Sequence, residues 1–258
     1  MTNVPEEEAD VPEKLVGSDR VLAVLLELAE HPSGISLDEL AKRVRGSKPT
    51  VHRALASLRK AGLASQTGRG VYELGDEFVR LAFRHHDARP ETARISPLLV
   101  ELATEYGETA HYAVLDRPDI VYRAKVDPPT GAMRLTSTIG GRNRAYSTAV
   151  GKLLLSFEVT TAAQLNEWLG PEPLVRHTEN TITDRAALLA EIIATRQRGY
   201  GIDNQENEIG VNCVALPVRL PGPQLGAVSI SGLTYRRPLA SLLEVVPAIR
   251  AAIARHLP

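Results

Sequence analysis

The chain has 258 residues, 43% of them hydrophobic and 24% charged, which suits a folded protein and excludes global disorder. No apolar run approaches the roughly 20 residues of a membrane span, and the opening MTNVPEEEAD is acidic where a secretory signal would be basic and then apolar. A single cysteine excludes an internal disulfide and any cysteine-based metal cluster, so the chain reads as cytoplasmic, without metal, cofactor or membrane partner.

The net charge of −1 conceals three blocks: residues 1–17 sum to −4, 18–86 to +3 and 87–258 to 0. Between Glu39 and Glu73 there is no acid, while Lys42, Arg43, Arg45, Lys48, Arg53, Arg59, Lys60 and Arg69 all fall inside. Solvated faces usually mix both signs. A one-signed field of this kind suits nucleic acid.

In chain order, residues 1–17 read as an acidic, disordered tail. Val21, Val24, Leu25, Leu28 and Ala29 then recur at helical spacing after a candidate cap, Ser18, and His31-Pro32-Ser33-Gly34 stops that helix. Ser36 and Glu39 form a capping box opening a second helix with Leu37, Leu40, Ala41 and Val44 inward. Ser47-Lys48-Pro49 opens a third, with Val51, Ala54, Leu55 and Leu58 inward and Gly62 at its end. Opposite that stripe lie His52, Arg53, Ala56, Ser57 and Lys60, with Thr50 in the first turn. Arg53 has the geometry for a bidentate contact to guanine, and Thr50 suits a thymine methyl or a phosphate. Two β-prone runs, Leu63–Thr67 and Val71–Leu74, flank Gly68-Arg69-Gly70, a hairpin with one cation at its tip. Three helices and a hairpin over residues 18–75 make a winged helix-turn-helix. The candidate DNA contacts are Arg45, Ser47, Lys48, Thr50, His52, Arg53, Ser57, Lys60 and Arg69.

Asp76 can cap a helix over 76–90 in which Phe78, Leu81, Ala82 and His85 share a face, and Arg89-Pro90 ends it. Residues 91–258 read as α+β. Ile95 to Ala103 mark a helix stopped by Gly107; Thr109–Leu115 and Ile120–Val126 mark strands. Thr148–Phe157 and Asp184–Arg198 are helical, Val211–Arg219 and Gln224–Leu233 form a hairpin, and a last helix opening at Pro238 should bend or break at Pro247.

Gly151-Lys152 suggests a phosphate loop, but Tyr146 stands where its first glycine belongs and Leu153 where its Ser or Thr belongs. What remains is a helix start capped by Ser147-Thr148, whose amides at Ala149, Val150 and Gly151 suit a carboxylate or simply water. Cys213 sits in an apolar strand and reads as an inert small hydrophobe. Ser229 and Ser231 share one sheet face, either outward or inward. Asp203 and Glu206 fall in a loop after Gly199 and Gly201, as caps or as a surface ion pair. His111 is a pocket residue or a satisfied core histidine, and Met133 and Leu135 are pocket wall or core. The histidines show no metal-ligand spacing.

Three segments together resemble the IclR family of transcriptional regulators: SKPTVHRALASLRKAGLA at 47–64, AYSTAVGKLLL at 145–155, and RGYGIDNQENEIGVNCVALPVR at 198–219 followed by GAVSISG at 226–232. The resemblance spans about residues 18–256 in the family's order. It implies a winged DNA-binding domain, a linker helix that helps to dimerise the protein, and a GAF-like domain binding a small effector. It implies an effector pocket of His111, Met133, Leu135, Tyr146, Ala149, Val150, Asp203, Cys213, Ser229 and Ser231, with Glu206 structural. The function expected is a ligand-responsive regulator without catalytic activity, with repression the favoured sense. Its partners would be a near-palindromic double-stranded operator, a carboxylate or aromatic-acid metabolite, and further copies of itself as a homodimer or tetramer. Two rivals are an enzyme using Cys213 with His111 in a GAF-like or hydrolase domain, and a helical module binding an acidic protein.

Overall fold

A computed structural model describes residues 17–68, 70–128 and 135–257; the acidic tail read over 1–17 lies outside them except for Gly17. The chain divides into two compact units, residues 1–88 and 89–258.

In the first unit α1 (Gly17–Ala29) packs against α3 (Lys48–Lys60), with α2 (Leu37–Arg43) between them in sequence. Ser18 lies inside α1 rather than capping it, because the helix already begins at Gly17. The stripes read from sequence converge: Val24, Leu28, Leu40, Val51, Leu55 and Leu58 share one core with Ile35 and Tyr72. A two-residue strand β1 (Ile35–Ser36), too short for any periodicity to reveal, joins the hairpin β2 (Ala64–Thr67) and β3 (Val71–Leu74) in the order β1-β3-β2.

Ser36 caps α2 by accepting from the Glu39 amide at 3.2 Å. The return half of the expected box is replaced, since Arg43 donates to the Glu39 carboxylate at 3.2 Å. Ser47 holds the cap position of α3 without a capping bond; its hydroxyl instead meets that of Thr50 at 2.7 Å. In α4 (Asp76–Asp87) the cap is Gly75, where a Cβ would stand 2.1 Å from the Gly62 carbonyl oxygen, and Asp76 moves into the first turn. There its charge faces the positive helix end. Val79, Leu81 and Phe83 on α4 are exposed.

The second unit is a six-stranded antiparallel sheet, ordered β6-β5-β4-β9-β8-β7, with helices on both faces. Its strands are β4 (Thr109–Asp116), β5 (Asp119–Val126), β6 (Arg142–Arg144), β7 (Gly201–Asn204), β8 (Val211–Arg219) and β9 (Leu225–Leu233). One face carries Tyr112, Val114, Leu216, Val228 and Ile230 against α5 (Pro90–Tyr106), α9 (Leu239–Glu244) and α10 (Val246–His256). The other carries Ala113, Ala215 and Ala227 against α6 (Ala149–Glu158), with α7 (Ala162–Leu169) and α8 (Arg185–Arg198) outside it. Small residues on that face let α6 lie close. The last helix breaks at Val245, two residues before Pro247. β6, β7 and α7 had no counterpart in the sequence reading, being three, four and eight residues long.

Candidate nucleic-acid interface and ligand pocket

The turn between α2 and α3 is closed by two backbone bonds, Arg45 N to Lys42 O at 3.1 Å and Gly46 N to Ala41 O at 2.9 Å. That is a Schellman-type ending, and it puts Arg45 at φ +49°, a conformation usually left to glycine. The turn holds Arg45 outward, next to the start of α3. Along α3, His52, Arg53, Ser57 and Lys60 are exposed and Thr50 is half-buried, so the expected face does meet solvent. Ser57 is partly spent, donating to the Arg53 carbonyl at 3.2 Å. Lys48 pairs with Asp38 at 2.8 Å, but both are about 60% exposed, and a pair of that kind holds weakly and can be exchanged. Arg69, read as the tip of the wing, lies outside the described residues; Gly68 and Gly70 beside it take φ of +66° and +76°.

In the second unit a cavity of about 220 Å³ opens between the α6 start and the sheet. Thr148 caps α6 by accepting from the Gly151 amide at 3.0 Å. Of the three amides expected to be open, only Ala149 and Val150 therefore remain, and both residues line the cavity. Two glycines allow this packing. A Cβ on Gly151 would stand 2.1 Å from the Ala145 carbonyl oxygen, and one on Gly201 would stand 2.0 Å from that of Ala149. The glycine before Lys152 thus serves close approach and not phosphate binding.

His111, Leu135, Ala149, Val150, Asp203, Cys213, Ser229 and Ser231 all line this cavity. The register explains it: His111 pairs with Ser229 in one row, and Ser231, Cys213 and Asp203 pair in the next row on the same sheet face, so two neighbouring rows supply the lining. Ser229 and Ser231 are 3% and 5% exposed, which excludes the outward polar face. Asp203 lies on β7 and not in a loop, as its four-residue strand pairs with β8. Met133 falls outside the described residues. Tyr146 is placed apart from the cavity lining: its hydroxyl donates to the Val175 carbonyl at 2.7 Å, and its ring stacks on His177.

Burial governs the electrostatics. It pushes the Asp203 carboxyl up to about 7, although its Oδ1 accepts from the Glu206 amide at 2.7 Å. It pushes His111 down to about 3, helped by the nearby Lys125 charge, so that ring is neutral. His111 Nε2 bonds the Ser137 hydroxyl at 2.8 Å, and its Nδ1 has no partner among the described residues. The Cys213 thiol is held well above its ordinary range by burial and by Asp203. A nucleophile needs the opposite.

Sequence reasoning missed Tyr122, Ser137, Asn143 and Asn207 in the lining. Tyr122 was within reach, because alternation along β5 could have found it. Lys152 was also missed. It is 1% exposed and donates to Glu206 Oε1, with Glu191 at 3.7 Å. Glu206 is thus a buried ion-pair partner of Lys152.

Comparison with known proteins follows the same division. The family model described as bacterial transcriptional regulator IclR C-terminal matches residues 87–256, and the IclR helix-turn-helix domain matches residues 18–68. The chain is 34% identical over 244 residues to the HTH-type transcriptional regulator KdgR of Escherichia coli K12, covering 93% of this chain and 91% of that one. The crystal structure of the Thermotoga maritima IclR superposes with a TM-score of 0.71 at 26% identity, covering 92% and 95% of the two chains. An IclR homologue from Microbacterium hydrocarbonoxydans, crystallised with 4-hydroxybenzoate, shares the fold with a TM-score of 0.76 at 20% identity over 92% and 98%. These relatives are regulators and not enzymes, which removes the Cys213 hydrolase reading. The chain belongs to the IclR family of transcriptional regulators.

Proposed function

We propose that this regulator is a repressor released from, or retuned on, its operator by a small carboxylate or aromatic-acid metabolite. Residues 18–75 bind DNA, 76–90 join the two parts, and 91–258 receive the effector. Two protomers set their α3 helices in successive major grooves of a near-palindrome, with Arg53 reading a base and Lys48, Lys60 and Arg69 meeting phosphate.

One observation carries the effector class. The open amides of Ala149 and Val150, at the positive end of α6, line the cavity together with the Ser229 and Ser231 hydroxyls. An anionic group is stabilised there by the helix end and by charge-assisted hydrogen bonds. Asp203 then suits a hydroxyl on the same ligand, since a second bare carboxylate would be repelled. The 4-hydroxybenzoate bound by the Microbacterium homologue belongs to this class. A thermal-shift screen of carboxylic and aromatic acids tests it, because a ligand at 100 times its Kd stabilises the fold by about 2.7 kcal/mol. Stabilisation by acids and not by their amides or alcohols supports the reading. Stabilisation only by uncharged or cationic compounds overturns it.

A further inference from the structure

Residues 1–16 carry Glu6, Glu7, Glu8, Asp10 and Glu13 against a single base, Lys14, and lead straight into α1. The face of α3 has the opposite sign. Arg53, Arg59 and Lys60, with Arg45 in the preceding turn, are exposed, and their side chains form no ion pair or hydrogen bond among the described residues. No acid occurs between Glu39 and Glu73 to neutralise them.

The segment joins the fold at Gly17, the first residue of α1, and α1 packs against α3 through the buried stripe of α3. Sixteen residues reach at most about 55 Å, and the 13 residues of α3 span about 20 Å, so reach does not limit contact.

We propose that the acidic segment 1–16 binds the Arg45–Lys60 face in the DNA-free protein and competes with duplex phosphate for it. Tethering holds the carboxylates at an effective concentration in the millimolar range. The competition is electrostatic on both sides, so it weakens as salt rises and the Debye length shrinks. The segment lowers affinity for any duplex by a common factor, most at low salt, and flattens the salt dependence of DNA binding.

The inference rests on α3 being the DNA face, and the test separates the two. The full chain is compared with a variant carrying Glu6→Gln, Glu7→Gln, Glu8→Gln, Asp10→Asn and Glu13→Gln, each with and without Arg53→Ala. Anisotropy with a mixed-sequence duplex of about 30 base pairs should show the neutralised variant binding about 3–10-fold tighter near 50 mM salt. The two curves should converge by about 300 mM salt. Carbodiimide treatment of the DNA-free full chain should join carboxylates of residues 6–13 to the amines of Lys48 or Lys60, and duplex should suppress those cross-links. Equal affinities overturn the proposal. So does tighter binding without cross-links to α3, which signifies plain repulsion between segment and DNA. Loss of the Arg53→Ala effect in both backgrounds, with duplex still bound, places the DNA elsewhere and removes the DNA-face reading itself.

Discussion

Lys152 and Glu206, 54 residues apart in sequence, meet as a buried ion pair that joins the first turn of α6 to the segment after β7. The first element carries the Ala149 and Val150 amides and the second follows Asp203, so the pair fixes two walls of the cavity against each other. Lys152→Met should cost about 3–5 kcal/mol, the usual loss when one partner of a buried pair is removed. Adding Glu206→Leu should recover most of that loss, since an apolar pair of similar volume replaces the ion pair at little cost. Denaturant unfolding of the two variants measures both values. A double variant no more stable than the single one would show that the pair does not act as a unit.

Asp203 and His111 pull stability in opposite directions with pH. Folding raises the Asp203 carboxyl from 3.8 to about 7, so the native state binds the extra proton and stability falls as pH rises between those values. Folding lowers His111 from 6.5 to about 3, so the unfolded state binds the extra proton and stability rises over that window. The two nearly cancel between about pH 4 and 6.5. Asp203→Asn should expose the His111 slope, with the melting temperature climbing with pH. His111→Gln should expose the opposite slope. Thermal melts at half-unit pH steps check this, and parallel profiles for both variants and the parent would refute it.

On DNA, Arg53→Ala should weaken operator binding by about 1–3 kcal/mol and relax preference at one base pair. Lys48→Ala and Arg69→Ala should weaken all sequences alike and flatten the salt dependence, as phosphate contacts do. Selection of bound sequences followed by anisotropy titration distinguishes the two behaviours. Sequence-independent losses for all three would take Arg53 out of the reading role.

In the pocket, Ser229→Ala or Ser231→Ala should each cost about 1.5–3 kcal/mol of affinity for an acidic effector, the worth of one hydrogen bond to a charged group. Ligand-free DNA binding should stay intact. Cys213→Ser should keep most of the response, because a buried thiol held above its ordinary range contributes volume and not charge. Calorimetric titration of the three variants reads this out.

Much of the first unit was legible because its helices are short, amphipathic and closed by recognisable ends. The buried stripe of α3 follows directly from its spacing. Two residues of β1 carry no period, and their strand exists only through pairing with β3. The cavity lining was legible in part: alternation put Ser229 and Ser231 on one face, but whether that face was inward depended on α6 covering it. Lys152 was not legible. A lysine in AVGKLLL reads as solvated, and only the burial of every residue from Ala149 to Ser156 forces it inward onto Glu206. Tyr146 shows the converse. Resemblance assigned it to the pocket, whereas a bond to the Val175 carbonyl holds it elsewhere.

The central claim is that acid binding in the cavity changes DNA binding by the helix-turn-helix. The direct measurement is operator anisotropy against increasing concentrations of the acid that most stabilises the fold, for the parent and for Ser229→Ala with Ser231→Ala. The parent should change operator affinity at the ligand concentration that half-saturates the cavity, and the double variant should need at least about tenfold more ligand. An acid that saturates the cavity while operator affinity stays constant would contradict the account.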